Sequence, residues 1–227
     1  MRAAAFKVLK RSLITDQTLE PTQVAGFNQF YDDVNLTEAW RYGTALDQKF
    51  AANLFGGVEL SVRDLITPVA FIGDDGRPVD QDLDWREYSS RLYLFSTLSD
   101  RISLKAEYIL ERFDRDTLGP EKLLTHRVPL GVRFFDPSGL GGFLTATYWN
   151  QDGRFAGFSG PEQSSGRDQF WLVDAGISWR LPKRYGMVSI GATNLTDEDF
   201  RFFEVDFDNP TILPKRSLIA RITLAFP

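Results

Sequence analysis

The chain has 227 residues, 43% of them hydrophobic and 14% aromatic; 26 Lys and Arg against 31 Asp and Glu give a net charge of −5. That acidic balance excludes the basic face of a nucleic-acid binder, and the absence of cysteine excludes disulfide scaffolds, thiolate metal sites and cysteine nucleophiles. No run approaches the ~18 apolar residues of a membrane-spanning helix, and the opening MRAAAFKVLKRSL is too short and evenly charged for a signal peptide.

Period-two alternation recurs from end to end, and helical periodicity is nearly absent. Residues 2–13 and 21–31 open the series of predicted strands, although AAAFKVLKR and TQVAGFNQFY separate poorly by parity. Residues 38–49 come next. Residues 53–64 then set Leu54, Val58, Leu60 and Val62 against Glu59, Ser61 and Arg63. After 86–97, residues 102–113 oppose Ile102, Leu104, Ala106, Tyr108 and Leu110 to Ser103, Lys105, Glu107 and Glu111. Residues 125–135 and 141–151 follow, then 168–181, where Trp171, Val173, Ala175, Ile177 and Trp179 oppose Asp174, Gly176, Ser178 and Arg180. Residues 187–198 and 215–226 close the series.

Most of these strands run to about 10–13 residues, longer than the ~5–6 of globular strands and close to the ~9–11 that cross a bilayer at a tilt. Short connections at 51–53, 98–100, 136–141 and 182–186 alternate with long polar ones at 65–85, 114–124, 152–167 and 199–214. Short turns on one rim and long loops on the other predict an outer-membrane barrel. The short turns, the C-terminus and the region of 16–20 then face the periplasm, and 32–38 lies outside. Aromatic residues near strand ends, among them Trp40, Tyr42, Trp85, Tyr88, Phe134, Phe135, Tyr148, Trp149, Trp171 and Trp179, fit interfacial girdles.

A soluble sandwich also alternates, but its polar parity faces bulk water and should be rich in long charged residues. Here Gly43, Gly57, Gly131, Gly176 and Gly191 fall on the polar parity, as a crowded interior demands. The expected fold is therefore all-β: an antiparallel up-and-down transmembrane barrel, partial, with about eleven or twelve strands over residues 1–227. An odd count, and a first strand that begins at Arg2 with no preceding turn, predict that the barrel continues upstream.

The inward parity predicts a lumen lined by Arg41, Asp47, Lys49, Glu59, Arg63, Arg91, Lys105, Glu107, Glu111, Arg127, Arg133, Asp174, Arg180 and Arg221. These would contact a plug, line a hydrated channel or pair across strands. No catalytic residue, metal or cofactor is predicted. The only histidine, His126, begins a predicted strand with no carboxylate placed to orient it, and is read as a rim residue in water. The acidic stretches 73–84 and 196–209 offer oxygens that calcium prefers, but lack EF-hand spacing and are read as solvated loops.

The last strand, LIARITLAF, carries apolar residues at every second position and closes on an aromatic. Leu224 and Phe226 therefore read as a signal to the barrel-assembly machinery. The stretch VSIGATNLTDEDFRFFEVDFDNPTILPKRSLIARITLAF resembles the last two strands of TonB-dependent receptors. The likeness lies in Asn194 to Glu198 at the end of a penultimate strand and in Pro214 and Arg216 at the entry to the last. WRYGTALDQKFAANLFGGVELSVRDL (40–65) looks like a late hairpin of those receptors. LEPT (19–22) is similar to their Leu-x-Pro-Glu entry, with Thr22 in place of Glu. The resemblance implies the C-terminal part of a receptor barrel in the bacterial outer membrane, surrounded by lipid. It further implies uptake of a solute through a plug-gated lumen, with the plug and an energy-coupling protein outside this chain. A passive or export barrel, for example one joined to periplasmic helical repeats, or a scaffold barrel would leave a similar signature. An outer-membrane hydrolase is the third alternative.

Overall fold

The computed structural model describes residues 1–10, 23–28, 33–73, 76–115, 120–157, 160–203 and 215–225. Within them lie β1 (Arg2–Leu9), β2 (Gln23–Val24), β3 (Phe27–Asn28), β4 (Glu38–Ala51), β5 (Leu54–Ile72) and β6 (Pro78–Ser99). Then come β7 (Ile102–Arg115), β8 (Pro120–Phe135), β9 (Leu140–Gly157), β10 (Gly160–Arg180), β11 (Gly186–Thr193) and β12 (Ser217–Leu224), with a 3-10 turn at Pro182–Arg184 before β11. Ten strands form one antiparallel sheet in the order β1-β4-β5-β6-β7-β8-β9-β10-β11-β12. Each strand pairs with its neighbour in sequence once the β2–β3 ribbon is set aside, so this is a meander.

The sheet is not closed into a barrel: among the described residues β1 pairs only with β4, and β12 only with β11. Residues 21–31 do not cross as a strand, contrary to the pattern-based expectation. Ala25 and Gly26 both take positive φ (50° and 83°) and fold 23–28 back on itself as the separate β2–β3 ribbon. This segment is the one whose parity did not separate, and a strand with no distinct faces has nothing to hold it in a two-faced sheet. Residues 16–20 lie outside the described residues. The connection leaves β1 and enters β4 at the same rim, where the Lys10 amide donates to Thr37 O at 2.9 Å and the Leu36 amide to Lys10 O at 2.7 Å.

The short connections fall where expected. Three of the predicted long loops are instead mostly strand: β5 runs on to Ile72 and β6 starts at Pro78, and β7 to β10 extend likewise. The register continues without a shift from Ile66↔Asp84 to Ile72↔Pro78. Backbone pairing needs no alternation of side chains, so the ladder continues through residues 65–72, where apolar side chains fall on both parities: Leu65 is buried and Ile66 exposed. At ~3.3 Å per residue, the 22 residues of β6 span about 70 Å. That is far more than the ~30 Å of a hydrocarbon core.

Directly opposed residues of an antiparallel pair share a face, so the register sorts the whole sheet. One face carries Tyr42, Val62, Tyr88, Arg112, Leu124 and Asp152 in one row, and Leu46, Val58, Leu92, Tyr108, Val128, Tyr148 and Trp171 in another. Between the Tyr88 level and the short turns this face holds no charged residue among the described ones. Charges begin in the Tyr88 row itself, with Arg112, Asp152 and Arg167, and continue one row beyond at Asp64, Arg86, Asp114, Lys122 and Arg154. Its apolar side chains stand open: Leu92 is 53% exposed, Ile177 62% and Ile222 68%. Trp40, Tyr42, Tyr88, Phe134, Tyr148, Trp171 and Trp179 belong to this face. Trp85, Phe135 and Trp149, also assigned to girdles by sequence, are on the opposite one.

Candidate functional site

The opposite, polar face is the candidate site. Every residue predicted to line a lumen stands on it. The rows Arg41↔Arg63↔Glu87, Glu59↔Arg91 and Lys105↔Gly131 place the first of them. Asp47↔Gly57, Lys49↔Phe55, Tyr93↔Glu107, Glu111↔Thr125, Arg127↔Trp149, Arg133↔Phe143, Asp174↔Thr145 and Ser189↔Arg221 place the others, and Arg180 faces Met187. Phe226, half of the predicted assembly signal, lies outside the described residues; Leu224 ends β12 on the apolar face, 57% exposed.

Across β1 and β4 to β7 most of these charges are paired; Lys49 instead lies 5.4 Å from the centre of the Phe55 ring, and Glu111 has no ion pair among the described residues. Arg2 reaches Asp47 at 3.1 Å and Glu59 at 3.0 Å, and the Tyr93 hydroxyl donates to Asp47. Arg63 bridges Asp33 at 2.5 Å and Glu87 at 2.7 Å, and Arg115 meets the other Glu87 oxygen at 3.5 Å. Arg91 Nε donates to Glu107 at 2.9 Å, and Lys105 holds the second Glu107 oxygen at 2.5 Å. The side chains of Arg63, Glu87 and Arg115 are 8, 14 and 10% exposed, so this network is largely withdrawn from water. Arg2, Asp33, Glu87, Tyr93 and Arg115 were missed by sequence reasoning. Glu87 and Arg115 carry the inward parity but sit at or beyond the predicted strand ends. The parity of Arg91 already reaches Glu87 within 86–97, and one further step from Glu111 and Phe113 reaches Arg115.

Two segments of the chain fold onto this face. The β2–β3 ribbon inserts Phe27, fully buried, between Arg2 and Arg41, whose guanidinium carbons lie 5.2 and 5.6 Å from the ring centre. Asn28 O accepts from Arg41 Nη1 at 3.0 Å and Ala25 O from Arg2 Nη1 at 3.2 Å, so both arginines hold ribbon carbonyls. The position beneath the ring must be glycine: a Cβ on Gly43 would stand 2.6 Å from it. Near the other edge of the sheet, residues 194–203 return over β9 and β10. Asn194 accepts the Glu198 amide and donates to Glu198 O, both at 2.9 Å, while its own amide donates to Asp174 at 2.9 Å. The Asn194–Glu198 motif is thus a closed turn anchored to the wall. Phe203 is then held as a strand residue would be, its amide donating to Gln151 Oε1 at 2.9 Å and its carbonyl accepting from Gln151 Nε2 at 3.0 Å. Phe200 stacks on Phe170 at 4.5 Å and Phe202 meets Trp149 edge-on at 5.4 Å. Residues 199–203, expected as a solvated loop, are therefore packed on the wall because Phe200 and Phe202 pack against its aromatics and Gln151 holds the Phe203 backbone.

From β8 to β12, towards the short turns, the face changes character. A cavity of about 1000 Å³ opens there, lined by Arg133, Phe143, Arg180, Met187 and Arg221 among others. The side chains of Arg133, Arg180 and Arg221 have no hydrogen bond or ion pair among the described residues. Asp136, at its edge, is engaged by Arg101 at 2.9 Å and accepts the Ser138 amide at 2.9 Å. That amide, with the Ser138 side chain and Arg101, holds the Asp136 carboxyl below the usual carboxylate range.

His126 lies within β8 rather than at its start, on the apolar face, with Nδ1 2.8 Å from the Tyr108 hydroxyl. Among the described residues no group of three or more His, Asp or Glu is arranged to hold a metal ion. The described part of 73–84 is the tip and second strand of the β5–β6 hairpin. No protein family, curated protein or solved structure matches the chain.

Proposed function

We propose that the chain forms the wall of a bacterial outer-membrane transport barrel, similar to the C-terminal part of a TonB-dependent receptor. Its apolar face lies against lipid and its polar face against a hydrated lumen. The observation that carries this reading is the charge-free apolar band that crosses all ten strands on one face. A soluble sheet buries such a face under a second layer, and the described residues put none over it. A charge at the midplane of a lipid-facing strand costs ~2–4 kcal/mol, which accounts for the emptiness of the band. In a bilayer the free edges of β1 and β12 are satisfied by strand pairing, since no water is there to do it. In such a barrel the external loops capture a solute, and a plug and an energy-coupling protein outside this chain gate its passage.

A passive, export or scaffold barrel is the second reading. It is favoured by Phe27 and residues 199–203, which already cover part of the polar face with this chain's own residues. Cell fractionation and electrophoresis of unheated samples test the membrane reading. The protein should sediment with outer membranes and migrate faster before boiling than after; a monodisperse monomer in detergent-free buffer would overturn it.

A further inference from the structure

We infer that the cavity flanked by Arg133, Arg180 and Arg221 binds a small organic anion, a solute bearing two or more carboxylate or phosphate groups. Its charged lining is four cations, with Lys183, against the single carboxylate of Asp136, which Arg101 already engages. On the β4–β7 half of this face Arg63, Arg91 and Arg115 each meet Asp or Glu, and Arg41 is held by the Asn28 carbonyl and the Ser61 hydroxyl. Arginines with no counter-charge among the described residues raise the local concentration of anions, and their planar donor forks fit carboxylate and phosphate in a bidentate manner. Arg133 on β8, Arg180 on β10 and Arg221 on β12 stand on alternate strands, each step about 10 Å across the sheet, with Arg180 two residues nearer the short turns than the Arg221 row and Arg133 two residues farther. Arg180 and Arg221 are thus about 12 Å apart along the wall, within joint reach of their long side chains and a compact polyanion.

The rest of the cavity suits a small solute. Ser178 and Ser189 lie on the same row as Arg221 and add neutral hydroxyls, and Phe143 and Ile219 present apolar surface to a carbon skeleton. The volume is at the upper end of the ~300–1000 Å³ of small-molecule sites. Transport gives this site its purpose, and to that extent the inference rests on the barrel reading; the cavity and its charge do not.

Calorimetric titration of the full chain in an uncharged maltoside, with citrate as probe, tests the inference. Citrate should bind, and more weakly as salt is raised, while spermidine should give no heat. Arg180→Gln and Arg221→Gln should each weaken citrate about tenfold, the loss of one charge-assisted contact. Arg180→Lys should restore part of the loss, and Arg91→Gln, in the paired half, should leave binding unchanged. Equal binding of citrate by the wild type and the Arg180→Gln/Arg221→Gln double variant would overturn the inference. So would binding of a glutamate decapeptide without binding of citrate, which would assign the surface to an acidic polypeptide. Unheated electrophoresis of each variant reports folding separately. Citrate binding by a chain that fails to enter outer membranes would sink the barrel reading alone, and membrane insertion without citrate binding would sink only this one.

Discussion

The polar face is two surfaces joined along β7 and β8. Towards β1, Arg2, Arg63, Arg91 and Arg115 meet carboxylates, and the arginines that hold Phe27 also hold the backbone of its ribbon; towards β12 small residues surround arginines that no described residue neutralises. The difference separates two uses of charge. A withdrawn ion pair such as Arg63–Glu87 sets Coulomb attraction against lost hydration, so that removing one partner is costly and neither group is left for a ligand. An arginine in water gains nothing from the fold and keeps its donors for something else.

Substitutions sharpen that contrast if the first half answers in stability and the second hardly does. Phe27→Ala should cost most, about 3–5 kcal/mol, because it empties the space between Arg2 and Arg41 over Gly43. The drop should appear in the urea midpoint of the micellar protein, and a change below the error of the curve would mean that the ribbon is not held. Glu87→Gln comes next, at about 2–3 kcal/mol. This is less than the ~3–5 kcal/mol of a fully broken buried pair, because Arg63 keeps Asp33. Restoring stability with Arg115→Gln in the same chain would confirm coupling through Glu87, and simple additivity would deny it. Gln151→Leu should cost about 1–3 kcal/mol by leaving the Phe203 amide and carbonyl without their clamp. Faster hydrogen exchange of the Phe203 amide than in the wild type is the specific sign.

Two smaller effects belong to the open half. The Asp136 carboxyl is depressed by the Ser138 amide and Arg101, so its contribution to the β8–β9 turn is complete above the unfolded carboxylate pKa. It is lost only as pH falls through the lower, folded value. Protection of the Ser138 amide should accordingly persist below the ordinary carboxylate range, and Asp136→Asn should abolish the pH dependence. Smallest of all, Arg133→Gln should change the urea midpoint by no more than about 0.5 kcal/mol. A larger loss would show that this arginine is structural and that the two halves do not differ.

Residue by residue, the strands from 38 onward and the face of each charged residue were legible, because a period of two leaves only two assignments for each side chain and register carries it from strand to strand. Glu87 and Arg115 escaped only by lying at strand ends. The long hairpins do not read as strands: residues 65–72 keep no clear alternation, and the alternation of Asp80, Asp82 and Asp84 against Val79, Leu83 and Trp85 lies in a stretch whose acidic residues read as a loop. Nor were the insertions legible. Nothing in the pattern of TQVAGFNQFY says that Phe27 leaves the sheet to sit over Gly43, nor does DEDFRFF announce that Gln151, far away in sequence, will hold the Phe203 backbone.

Composition and periodicity alone thus determined an all-β chain with one apolar and one polar face, since both are local properties of alternating side chains. Tertiary structure decided the rest: how many strands join the sheet, that its edges stay open, which segments cover its polar face, and which arginines find a carboxylate. Those outcomes depend on distances between residues remote in sequence, which alternation along one strand does not encode.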